Sequence, residues 1–182
     1  MQKTDPTAEL IHKNYQLFTA DVAENVIFTN DISYEAKAAG ATKNSKNKRD
    51  YGLQLRQLYD FIQKLDEQGK WNVALEMKVV ESNPSDDEIN RICEVFKANL
   101  KNPDNAIIVN YDRLTLDRSR EKGGGHVSTI DAYDPETKSF LINDVNATEK
   151  PVWVKTRDLV LAMATKDTDE NRGYITVAKA PY

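Results

Sequence analysis

Gly123-Gly124-Gly125-His126-Val127-Ser128-Thr129-Ile130-Asp131-Ala132-Tyr133, then Asp134-Pro135-Glu136-Thr137-Lys138, then Ser139-Phe140-Leu141-Ile142-Asn143-Asp144-Val145 reads as a β-hairpin. Both arms are rich in β-branched and aromatic residues at strand spacing. The link between them carries the Asp and Pro that open a tight turn. The turn sets the register, and pairing outward from it brings His126, at the start of the first arm, near Asp144, at the end of the second. A carboxylate on a ring nitrogen orients a histidine and strengthens it as a base, so the pair has the form of base and orienter beside a nucleophile. The glycines before His126 let backbone approach without side-chain obstruction. Spacing alone favours a strand-end histidine and an ordinary exposed acid, because a lone His and Asp on a hairpin occur in many domains.

The rest of the chain bounds what this hairpin can belong to. With 182 residues and 40% hydrophobic content, one domain over 1–182 can bury a core without disulfides or metals. The formal charge is −4 and the basic residues are scattered. Their one cluster, Lys43, Lys46, Lys48 and Arg49, lies in an Asn-, Ser- and Lys-rich linker and reads as a solvated loop, so no nucleic-acid partner is expected. No apolar run approaches the ~18 residues of a membrane span, and Met1 to Pro6 make no signal peptide. A cytoplasmic protein with no membrane partner is the expectation, subject to any lost presequence.

One cysteine and two histidines exclude an intramolecular disulfide and a thiolate metal cluster. Cys93 falls in a helix opened by the capping box Ser85-Asp86-Asp87-Glu88, on an apolar face with Ile89, Ile92, Phe96 and Leu100. A reactive thiol sits at a helix N-terminus or beside a cation, and Cys93 lies about two turns in. It reads as core. His12, near the polar segment 1–14, reads as a surface residue.

Further elements follow from periodicity. Tyr15 to Val26 fits a loop entering a short helix, a second short helix reaches toward Gly40, and Ala41 to Asp50 is a loop. Leu53 to Leu65 gives an amphipathic helix ended near Gly69, and Trp71 to Val80 a strand. Ala106 to Asn110 is a buried strand, Pro151-Val152-Trp153-Val154 an edge strand, Lys155-Thr156-Arg157-Asp158 starts the helix Leu159 to Ala164, and Tyr174 to Val177 is the last strand. A helical first half and an antiparallel sheet in the second make the fold α+β.

Gly-Gly-His-x-Ser with its hairpin, Asp144-Val145, Pro151-Val152-Trp153-Val154, the Leu-x-x-Ala-Met helix and Arg172-Gly173-Tyr174-Ile175-Thr176-Val177 together resemble the phytochelatin synthase family, and its bacterial short forms in particular. The resemblance covers about 15–179. It implies a papain-like fold and a glutathione γ-glutamylcysteinyltransferase or hydrolase that cleaves the Cys–Gly bond through a Cys-His-Asp triad, with His126 and Asp144 as two of its members. It further implies that Asn110, Arg113 and Gly125 serve substrate binding, and that Asp167 and Arg172 serve the acceptor substrate. A guanidinium holds a carboxylate by paired hydrogen bonds, and glutathione carries two carboxylates. Glutathione or a γ-glutamyl peptide is the implied partner, with metal–glutathione thiolates as substrate forms in heavy-metal detoxification. No tightly bound cofactor or metal is expected.

The family places its nucleophile in a Tyr-Cys-Gly-x-Ala-Ser type motif ahead of the stretch resembling Tyr15-Gln16-Leu17-Phe18-Thr19, together with a glutamine that donates to the oxyanion. This sequence contains no Cys-Gly pair. It is therefore expected to lack the nucleophile helix and to be inactive as it stands. Ser128 shares the face of His126 but has no oxyanion hole of its own. A pseudoenzyme that binds glutathione-like peptides is one alternative. A non-catalytic interaction domain, associating through an exposed groove with a partner or as a homo-oligomer, is another.

Overall fold

Leu55, Leu58 and Ile62 recur at helical spacing and are all buried. They form the inner face of the first helix in a computed structural model of the protein, which describes residues 54–67, 72–119, 124–144, 150–167 and 170–180. The elements expected before Leu53, and the residues Gly69, Trp71 and Val145, lie outside that set. In chain order the elements are α1 (Leu55–Glu67), β1 (Val73–Val79), α2 (Asp86–Leu100), β2 (Ala106–Asp112), α3 (Arg113–Leu116), β3 (Gly125–Asp134), β4 (Ser139–Asp144), β5 (Val152–Lys155), α4 (Thr156–Met163) and β6 (Gly173–Lys179).

Six antiparallel strands form one sheet in the order β1-β6-β2-β3-β4-β5. Side chains alternate between its faces, and each face needs its own cover. On one face α1 packs over Ile108, Ile175 and Val177. On the other, α2 and α4 pack over Ile107, Val109, Ile130, Phe140 and Ile142. The continuous apolar run of β2 follows from this double coverage, since its residues from Ile107 to Tyr111 are all buried. The architecture is α+β. The sheet reaches into the first half of the chain, because β1 pairs with the last strand.

Local chemistry fixes the element ends. Ser85 accepts the Glu88 amide at 3.2 Å and caps α2, whose first turn holds Asp86, Asp87 and Glu88 against the positive end of the helix dipole. Helix α4 begins at Thr156, within the expected Lys155–Asp158 start, where the Thr156 amide and hydroxyl both donate to the Lys138 carbonyl at 2.9 Å. Phe96 is fully buried and meets Phe140 and Tyr174 edge to face, with centroids 5.4 and 4.9 Å away. Gly173 stands where β1 crosses closest, and a Cβ there would lie 2.0 Å from the Lys78 carbonyl oxygen. Among the described residues no helix is long and apolar enough to cross a membrane.

Candidate active site

The hairpin expected from the sequence forms, with one feature that pattern reading missed. Asp134 pairs with Ser139, and uninterrupted pairing from there would set Asp144 opposite Thr129, on the face away from His126. A bulge between Ile130 and Ala132 shifts the register, so that Asp144 pairs with Ser128 instead. Asp131, the residue left over, accepts from Asn143 at 2.9 Å and from Thr129 at 3.3 Å. Ser128 and His126 share a face, and Asp144 therefore meets His126 on the diagonal.

The meeting is close. His126 Nε2 lies 2.8 Å from Asp144 Oδ2 and 2.9 Å from Oδ1. A carboxylate can only accept, so in the neutral imidazole Nε2 carries the hydrogen and Nδ1 keeps the lone pair. Both side chains are largely covered, at 17% and 10% exposure. The Tyr111 ring stands edge to face with the imidazole at 5.7 Å, and its hydroxyl shares a 3.0 Å hydrogen bond with the Ser128 hydroxyl. Ser128 is fully buried, which removes it as a nucleophile.

Arg113 joins the pair from the end of β2. The Asp112 carboxylate caps α3, accepting the Thr115 amide at 2.7 Å and its hydroxyl at 2.8 Å. The Arg113 amide donates to the Gly124 carbonyl at 3.0 Å, so the base of this side chain is tied to the backbone just before His126. Its Nη2 donates to Asp144 Oδ2 at 3.2 Å. The same nitrogen comes 3.4 Å from His126 Nε2. Both nitrogens are donors there, so their approach reflects one shared carboxylate and no bond between them.

A second group lies beside Gly125. Arg172 is 7% exposed; its Nη1 donates to Thr165 Oγ1 at 3.2 Å and to the Lys166 carbonyl at 2.5 Å. Its Nη2 faces Asp167 Oδ1 at 3.4 Å. Its Nε is buried with no hydrogen-bond partner. A Cβ at Gly125 would stand 3.0 Å from Nη2 and 3.3 Å from Nε, so the bare glycine is what lets this guanidinium lie against β3. Asn110 pairs with Val127 and Gly173 and is 1% exposed. Strand alternation turns it to the face of Ile108, opposite His126. His126, Asp144 and Arg113 therefore gather in one place, Gly125, Asp167 and Arg172 in a neighbouring one, and Asn110 stands apart from the dyad.

Cys93 lies at the other end of the sheet. It is partly buried on α2 against the core, and its thiol approaches the Thr156 hydroxyl at 3.9 Å. Beside it stands Tyr133, whose phenol is pushed above its ordinary value by burial and by that thiol. Tyr133 follows His126 by seven residues on β3. At ~3.3 Å per residue, that separation is roughly 20 Å. The sequence reading of Cys93 as a structural residue agrees with this placement. Among the described residues no cluster of three or more His, Cys, Asp or Glu could hold a metal.

The structure is an α+β domain that brings an imidazole, a carboxylate and a guanidinium together at one end of its sheet. The family model for phytochelatin synthase matches residues 3–174. The chain belongs to the phytochelatin synthase family, which ties it to glutathione-related transferase chemistry and fits the papain-like fold. No curated protein sequence matches the chain.

Proposed function

We propose that this chain binds glutathione and carries the base half of a site that cleaves its Cys–Gly bond. The observation that supports this most is the His126–Asp144 contact at 2.8 Å, which leaves Nδ1 as the proton acceptor. In the complete reaction a cysteine thiol gives its proton to Nδ1, and the thiolate attacks the cysteinyl carbonyl of glutathione. The protonated imidazole then returns the proton to the departing glycine amine. The γ-glutamylcysteinyl thioester passes to water or to the amine of a second glutathione, deprotonated by the same Nδ1. Asp144 stays ionised throughout and holds the imidazole in place. Arg172, Asp167 and Gly125 form the carboxylate- and amine-binding side, where the buried Nε of Arg172 offers an unused donor. Metal–glutathione thiolates enter as substrate forms, and no resident cofactor is invoked.

The nucleophile is not supplied by the single cysteine of this sequence, because Cys93 lies at the far end of β3 from His126. These 182 residues are therefore expected to bind glutathione without cleaving it. Calorimetry tests binding directly. Glutathione should bind with a Kd on the order of 1 mM or tighter, about −4 kcal/mol. Glutathione diethyl ester, with both carboxylates masked, should bind at least about tenfold more weakly. Equal heats for acid and ester, or no heat at all, would refute the carboxylate-binding reading.

A further inference from the structure

The resemblance assigns Arg113 to the substrate, yet its guanidinium is already engaged inside the protein. Nη2 donates to Asp144 Oδ2, the oxygen that also stands closest to His126 Nε2. We infer that Arg113 is a positioning residue of the His126–Asp144 pair, which clamps the carboxylate so that both of its oxygens stay on the imidazole N–H.

Asp144 is the last residue of β4 and pairs with Ser128 of β3. A strand-end carboxylate has rotational freedom about χ1 and χ2, and His126 alone, through one N–H, fixes one direction of it. A second, charged donor on Oδ2 from the first residue of α3 fixes the carboxylate plane. Arg113 is itself immobilised from two sides. Its amide is bound to the Gly124 carbonyl, and the Asp112 cap on Thr115 closes the short helix that carries it. The clamp thus joins the start of α3 to β3 and β4 at the site. Arg113 and Asp144 retain 24% and 10% side-chain exposure, so the bond is shielded from water but not sealed. A charge-assisted bond of this kind exceeds what a surface ion pair contributes.

This inference rests on the proposed role of His126 as base, and its test is read on the imidazole itself. With only two histidines in the chain, the ring nitrogens of His126 can be assigned by comparison with His126→Ala. The 182-residue protein should show a protonated Nε2, a bare Nδ1 and a slowly exchanging Nε2–H. Arg113→Gln should speed exchange of that proton by about tenfold or more, and Arg113→Lys by less than about threefold. Thr115→Val, which loosens the cap without touching the pair, should speed it by about threefold and serves if Arg113→Gln does not fold. Exchange in Arg113→Gln within twofold of the parent, or equal rates in the Gln and Lys variants, would overturn the inference. Glutathione calorimetry on the same variants separates the two readings. Lost binding with unchanged exchange would make Arg113 a substrate ligand and not a positioning residue. Changed exchange with binding intact supports the clamp, and absence of binding in the parent protein strikes the proposed function alone.

Discussion

The two ends of the β3–β4 hairpin hold the groups that would make a nucleophilic pair, and hold them apart. At the turn end, the Cys93 thiol lies beside Thr156 and Tyr133, on a helix whose Ile89, Ile92 and Phe96 are buried in the core. At the open end, His126, Asp144 and Arg113 make a charged, partly covered cluster with a proton-accepting nitrogen to spare. One end is built from packing and the other from hydrogen bonds. A thiol is not a nucleophile by composition; it needs a base within reach, and the length of a strand is enough to withhold it.

That contrast can be broken most forcefully at the packed end. Phe96→Ala removes two edge-to-face contacts and leaves a cavity between α2 and the sheet, and chemical denaturation should show a loss of about 3–5 kcal/mol. A loss below about 1 kcal/mol would mean the turn end is not the stable half. Gly173→Ala should follow, at about 3 kcal/mol, because the added methyl meets the Lys78 carbonyl oxygen and must part β1 from β6. Amide exchange should then rise in β1 and stay protected in the β3–β4 pairing. Uniform exchange would contradict this order.

Cys93→Ala sharpens the comparison at smaller cost. It should lower stability by about 1 kcal/mol and leave the heat of glutathione binding unchanged, since the thiol is packing and not chemistry. A changed binding heat would bring Cys93 back into the site. The smallest effect is expected at the turn itself. The Thr137 hydroxyl donates to Asp134 at 2.5 Å and, with the Glu136 and Thr137 amides, holds that carboxyl below its ordinary 3.8. A depressed carboxyl stabilises the fold fully above its unfolded value and loses that contribution as pH falls through the folded one. The stability gap between the parent and Thr137→Val should therefore be constant near neutral pH and close as the pH drops below 3.8. A gap that persists in acid would assign the effect to packing.

These ends were not equally legible in the sequence. The capping box at Ser85, the apolar stripe through Phe96 and the Asp134-Pro135 turn specify their elements by local chemistry, and the helix and turn stand where they point. The pairing of His126 with Asp144 was readable as proximity only. Which face Asp144 occupies depends on the bulge around Asp131, and an extra residue in a strand leaves no periodic signal when its neighbours are Ile130 and Ala132. The Arg113 contact and the buried Tyr111–Ser128 hydroxyl pair were hidden for a related reason, because they join residues from different elements. The Asn110-Tyr111-Asp112-Arg113 run marked the place without giving the partners.

The separation of thiol and base is tested most directly by following glycine release from glutathione in the 182-residue protein, beside His126→Ala and Cys93→Ala. The expected result is binding without release in all three. Glycine release by the parent that vanishes in Cys93→Ala and in His126→Ala would show that the two ends of the hairpin meet during catalysis, and would contradict the separation on which this reading of the site depends.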